Sequence, residues 1–197
     1  MSLEATRIND DKVELMRAWS TEKFYPHILP YKDNIVGRLQ EEIENARNRL
    51  LEQPETNLTT KTIKELEIDR LRFLVISYLR TRLLKIEKHV QYIIETEEMF
   101  DRLSPGEQKF AKQYFELQQA HLNTMFLGSI PDVLKAGDED NLRVEPNLNT
   151  YVFCRVREDL GQVDIEGEVV ALSTGDIYVL RSGSITPYIE QEQFDLI

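Results

Sequence analysis

The longest periodic stretch in this chain, Thr62 to Phe100, runs for 39 residues, about 58 Å as a helix rising ~1.5 Å per residue. A compact body of roughly 145 residues has a diameter near 40 Å, so such a helix must kink or project. Its middle, LRFLVISYLRTRLLKI, carries Leu71, Phe73, Leu79, Leu83 and Leu84 at widely different angles. A helix that is apolar all round is covered all round. Three neighbouring helices or another protein must supply that cover, and a projecting helix needs the protein, so the first functional expectation is obligate hetero-assembly.

The same stretch holds Arg70, Arg72, Arg80, Arg82, Lys85 and Lys88 against Glu87 alone, a local net charge of +5 over residues 70–88. A phosphate-tracking surface needs its cations on one solvent face. Here Arg70, Lys88, Lys85 and Arg82 fall within about a third of a turn, while Arg72 and Arg80 point elsewhere and bulky apolar residues intervene. Arginines interleaved in this way are placed to reach carboxylates across helix contacts. The reading favoured is ion pairing in the core or at a subunit interface; the alternative is a DNA-binding module on the basic helix 70–88.

The remaining helices follow from caps and breakers. A first helix is expected from an Asn9 or Asp10 cap through Val13, Met16 and Trp19, ending at Tyr25-Pro26. A second follows Pro30 with Ile35, Leu39, Ile43, Ala46 and Leu50 on one face, stopped by Pro54. Thr62 with Glu65 forms a capping-box pattern for the long helix. Ser104-Pro105-Gly106-Glu107 opens a fourth, which Gly128 and Pro131 close.

Residues 128–149 read as a linker containing Pro131, Gly137, Asp138-Glu139-Asp140 and Pro146. Alternation then takes over in Tyr151–Arg157, followed by short runs at 163–165, 168–172, 176–180 and 187–189 between glycines. The fold expected is α+β: an all-α helical bundle over 1–145 and a small antiparallel β-rich domain over 146–197. At about 50 residues the second domain buries too little surface to be robust alone and must dock.

Chemistry is sparse. The net charge of -11 works against binding nucleic acid or anionic lipid except through local patches. His27, His89 and His121 lie far apart, Cys154 is the single cysteine, and no metal, phosphate-loop or nucleophile-elbow motif occurs. No catalytic, cofactor or metal residues are expected, and Cys154, alternating with Val152 and Val156, reads as a buried thiol. A lone cysteine, a polar acidic start and an apolar run of only seven residues, Phe73–Leu79, against the roughly 18 needed to span a bilayer, point to an intracellular protein without a membrane span.

Particular runs resemble a known family. They are Trp19-x-x-Glu22 before Pro26-His27-Ile28-Leu29-Pro30-Tyr31, then Glu65-Leu66-Glu67-Ile68-Asp69-Arg70-Leu71-Arg72-Phe73, continuing into Ser77-Tyr78-Leu79-Arg80-Thr81-Arg82-Leu83-Leu84-Lys85-Ile86-Glu87. Leu103 to Glu107, and Pro146 ahead of Tyr151-Val152-Phe153, complete the pattern. The chain resembles the GINS family of replication-complex subunits, in particular its Sld-type subunit 4. That resemblance implies a helical A domain followed by a β-rich B domain, an order that two of the four subunits share and the other two permute. It implies a non-enzymatic, nuclear scaffold with no cofactor, one of four paralogues in a heterotetramer. With the Mcm ring and a RecJ-like partner, that tetramer forms the replicative helicase. The closest pairing would be with subunit 1, the B domain would help fix the other pair, and DNA would be near only indirectly. By position in the motif, Arg70, Arg72, Tyr78, Leu79, Arg80, Arg82 and Lys85 would serve the A-domain core and subunit interface. Phe194 and Ile197 would belong to a B-domain strand or its docking surface.

Overall fold

A computed structural model describes residues 2–52, 58–125, 144–165 and 167–197. Helix α1 (Ser2–Phe24) begins earlier than a cap at Asn9 or Asp10 would allow. Those residues lie exposed inside the helix, and the neighbouring carboxylate of Asp11 is engaged by Arg38 at 2.9 and 2.5 Å. Helix α2 (Asp33–Glu52) buries Ile35, Val36 and Leu39 as its period dictates, whereas the expected stop at Pro54 lies outside the described residues.

The long pattern becomes α3 (Leu58–Glu95), with non-helical torsions at His89 (φ -123°, ψ 28°), and a short α4 (Glu97–Asp101) beyond an extended Thr96. The capping box expected at Thr62 does not form. The Thr62 hydroxyl donates back to the Leu58 carbonyl at 3.0 Å, and Glu65 faces Lys61 instead, so the helix gains a turn ahead of it. Helix α5 (Pro105–Met125) starts as its sequence demands. Glu107 N–H donates to Ser104 Oγ at 3.3 Å, and Ser104 N–H to Glu107 Oε2 at 2.9 Å. The closing residues Gly128 and Pro131, and the linker as far as residue 143, lie outside the described residues.

Two apolar clusters hold the helices. Leu15, Ile35, Val36, Leu39, Leu74, Val75 and Tyr78 join α1, α2 and α3. Ile28, Ile86, Val90, Ile93, Met99, Leu103 and Ala111 join the second half of α3 to α4 and α5. Helices α1 and α3 run side by side in the same direction, since Lys12 meets Glu67 while Glu22 meets Arg82 and Lys85.

The C-terminal part comprises β1 (Tyr151–Val156), β2 (Gly161–Ile165), β3 (Glu168–Leu172), β4 (Ile177–Arg181), a short α6 (Thr186–Glu190) and β5 (Phe194–Leu196). An antiparallel sheet has the order β4-β1-β5, with Phe153 opposite Val179 and Cys154 opposite both Tyr178 and Leu196. Strands β2 and β3 form a separate hairpin, whose turn places Gly167 at φ +88°, a region that side-chain-bearing residues rarely adopt. Residues 187–189, expected as a strand, are helical. Pro187 has no N–H to give a ladder but fits a first helical turn, and Tyr188 and Ile189 both donate to the Ile185 carbonyl.

This β-rich part is seated on α1. Tyr25 lies at the centre of its core with Val152, Cys154, Leu172, Ile185 and Phe194, and its hydroxyl meets Thr186 Oγ1 at 2.7 Å. Ser20 Oγ donates to the Leu196 carbonyl at 2.8 Å. Around that contact lie the ion pairs Arg17–Asp195, Lys32–Glu192 and Arg102–Glu190.

Candidate functional site

Arg82 is fully buried, with no exposed side-chain surface. A guanidinium offers five N–H donors in a planar fork, and here each has an acceptor. Nε and Nη2 grip Glu107 at 2.8 and 3.1 Å; Nη1 reaches Glu22 at 3.2 Å and the Leu29 carbonyl at 2.6 Å; Nη2 also reaches the Arg102 carbonyl at 3.2 Å. The rings of Tyr31 and Tyr78 flank the cation at 5.3 and 5.7 Å. Lys85, one turn on, donates to Glu22 and to the His27 carbonyl, each at 2.7 Å.

The hub balances two carboxylates against two cations. Burial alone would lower the Arg82 pKa, but the Glu107 hydrogen bonds and the Glu22 charge outweigh it and raise the pKa above its ordinary value. Lys85 shifts the other way, because burial outweighs its contact with Glu22. Burial pushes the Tyr78 phenol up to about 12, so it stays protonated. One side chain thereby ties α1, the loop after it, α3 and the start of α5. The sequence flags Glu22 in one respect: an acid in the last turn of a helix opposes the helix dipole, so it needs a cation elsewhere in the fold.

Beside the hub, His27 is buried and its Nδ1 has no hydrogen-bond partner among the described residues. His89, at the kink, donates from Nδ1 to the Val144 carbonyl at 2.8 Å. Burial lowers both imidazole pKa values, reinforced at His27 by Arg102, His89 and Lys85 against Glu98, and at His89 by Lys88 and Lys85 against the Val144 hydrogen bond. Folding therefore favours the neutral form of both. Stability is full above the unfolded value of about 6.5 and falls as pH drops below it, by at most about 1.4 kcal/mol per histidine per pH unit. Urea unfolding at pH 7.5 and 5.5 will show that loss, and a chain with His27→Gln and His89→Gln will show a smaller one. Equal stability at the two pH values contradicts the assignment.

The other residues singled out in the sequence separate by place. Arg70, Arg72 and Arg80 are exposed on α3, Leu79 is half-buried, and Tyr78 is 1% exposed in the core. Phe194 is buried in β5, and Ile197 just beyond it is 42% exposed. Glu67, a nearby candidate partner for Arg70, is taken by Lys12. Cys154 is buried and its thiol pKa is pushed up to about 11, which removes thiolate reactivity near neutral pH. Among the described residues no cluster of His, Cys, Asp and Glu could hold a metal, and no helix is long and apolar enough to cross a membrane.

Residues 32–126 match the GINS complex protein helical bundle domain, and residues 146–197 match the C-terminus of DNA replication complex GINS protein SLD5. DNA replication complex GINS protein SLD5 of Arabidopsis thaliana is 33% identical across 98% of this chain and 94% of its own length. The Mus musculus protein of that name is 32% identical across 93% of this chain and 87% of its own. The one from Dictyostelium discoideum is 33% identical across 93% and 90%. The chain belongs to the GINS SLD5 family.

In this SLD5-family chain the helical-bundle match omits α1, although α1 supplies Glu22 to the hub and Tyr25 to the β-rich core. The C-terminal match begins at Pro146, two residues past the Val144 carbonyl that His89 holds.

The outer side of α3 remains open. Leu66 and Phe73 are each 63% exposed, with Ile63, Ile76 and Leu84 uncovered along the same helix. A groove of about 590 Å³ between α2 and α3 is lined by Ile43, Leu51, Ile68, Ile76 and Leu79, with Arg72 and Asp69 at its edge.

Proposed function

We propose that this chain is a non-enzymatic structural subunit of the four-protein GINS assembly, acting in the nucleus in DNA replication. The observation that carries the reading is the uncovered apolar length of α3 from Ile63 to Ile76 in a chain of this family: a monomer has no use for that many exposed large side chains on one helix. In this reading residues 1–145 form the A domain and pair most closely with that of GINS subunit 1 through the α2–α3 groove, with Arg70, Arg72 and Leu79 at the contact. Tyr78, Arg82 and Lys85 hold the shape of that face from inside. Residues 146–197 form the B domain, steadied by Phe194, with Ile197 at the rim of its docking surface. The assembled tetramer would join the Mcm ring and a RecJ-like partner.

The alternative, DNA binding through residues 70–88, has less support. Of the six cations there, Arg82 and Lys85 are engaged by internal acceptors and cannot meet phosphate. Co-expression with the other three GINS subunits, followed by light-scattering mass, tests assembly directly. A particle containing one copy of each subunit is expected. A soluble 23.1 kDa monomer that ignores its candidate partners overturns the proposal.

A further inference from the structure

The seam between α1 and α3, on the other side of α3 from the α2–α3 groove, is a second surface. Trp19 lies half-buried in it with its indole N–H donating to Thr81 Oγ1 at 3.1 Å, and Leu84 is 58% exposed. Together with Ser77 they line a groove of about 420 Å³. Its cations are Lys23 from α1 and Arg80 and Lys88 from α3. None of the three lies within ion-pair distance of a carboxylate among the described residues, whereas Lys85 in the same seam is turned inward onto Glu22. Arg80, Leu84 and Lys88 follow at four-residue intervals, a cation–apolar–cation row about 12 Å long.

Two helices packed side by side leave a groove that a third helix fills. Its apolar floor calls for leucine-like side chains, and its unpaired cations call for carboxylates beside them. Charge makes the choice sharper. The chain as a whole carries -11, so an acidic segment is repelled over most of the surface and drawn to this local patch. Phosphate backbones would meet only three cations, and Trp19 and Leu84 would be wasted on them.

We infer that the α1–α3 seam is a docking site for an acidic amphipathic helix of a partner protein, distinct from the α2–α3 groove assigned to GINS assembly. The probe is a fluorescein-labelled, helix-forming peptide with leucines on one face and glutamates elsewhere. Anisotropy is read on the full chain, alone or within its co-expressed assembly. Saturable binding is expected, weakened at least tenfold by R80E with K88E, lost when the peptide leucines become serines, and retained by I76D. Absence of saturable binding, equal binding of the serine peptide, or tighter binding of a twenty-residue oligothymidylate overturns the inference. Because assembly is read separately by particle mass, failure here leaves the GINS reading standing, and the reverse also holds.

Discussion

An Arg82→Met chain unfolds about 3 to 5 kcal/mol more easily than the parent, a fall in Tm of roughly 6 to 20 °C at about 2–4 °C per kcal/mol for a chain of this size. The loss comes from what is left behind. Without the guanidinium, Glu107 is a buried carboxylate with no cation, Glu22 is left with Lys85 alone, and the carbonyls of Leu29 and Arg102 lose their donor. Arg82→Lys keeps the charge but offers three donors from a single point, so it recovers only part of the stability. Adding Glu107→Gln to the Met variant is expected to restore some of it, because the orphaned charge goes with its partner while Glu22 keeps Lys85. Urea titration of the full chain with far-UV circular dichroism measures all three. A loss below about 0.5 kcal/mol for Arg82→Met would place it among ordinary surface changes and refute the hub.

The second large effect concerns assembly rather than folding. Ile76→Asp places a carboxylate at a residue that is 43% exposed in the isolated chain, where its cost to the fold is within about 0.5 kcal/mol. In a closed subunit interface the same carboxylate is buried without a partner and costs about 3 to 5 kcal/mol, or roughly two to three and a half orders of magnitude in affinity at ~1.4 kcal/mol per tenfold. The variant should keep its circular dichroism spectrum and drop out of the co-expressed particle. Leu79→Asp is a blunter tool, because Leu79 also packs on the cluster of Leu15, Leu39 and Tyr78 and the change strikes the fold as well. Full incorporation of the Ile76→Asp chain would remove the α2–α3 groove as the contact.

The two predictions separate two jobs carried by one helix. The face of α3 turned toward α1 and α5 fixes the body through Arg82, and the face turned outward is left uncovered. A helix that is apolar all round does both because its polar exceptions are sorted: Arg82 and Lys85 turn inward to carboxylates, and Arg70, Arg72, Arg80 and Lys88 stay in solvent.

Local chemistry was enough to read much of this chain. The capping box at Ser104 and Glu107, the stop at Tyr25-Pro26, the amphipathic period of α2 and the alternation of Tyr151–Val156 each follow from interactions within a few residues, and each forms where the sequence implies. Local signals failed where two neighbours compete for one group. Thr62 bonds backward to Leu58 instead of capping, and Pro187 nucleates a helical turn between strands that a glycine-punctuated pattern would extend. Only the tertiary structure decided which arginine is the hub. The spacing of residues 70–88 gives Arg80 and Arg82 the same chemistry, and what separates them is that Glu22 lies 60 residues away and Glu107 25 residues away from Arg82. Tyr25, read in the sequence as a helix stop, is likewise a core residue of the β-rich part, because its partners Thr186 and Phe194 come from the far end of the chain. Long-range pairing depends on where the folded backbone brings distant residues together, and composition and period carry no record of that.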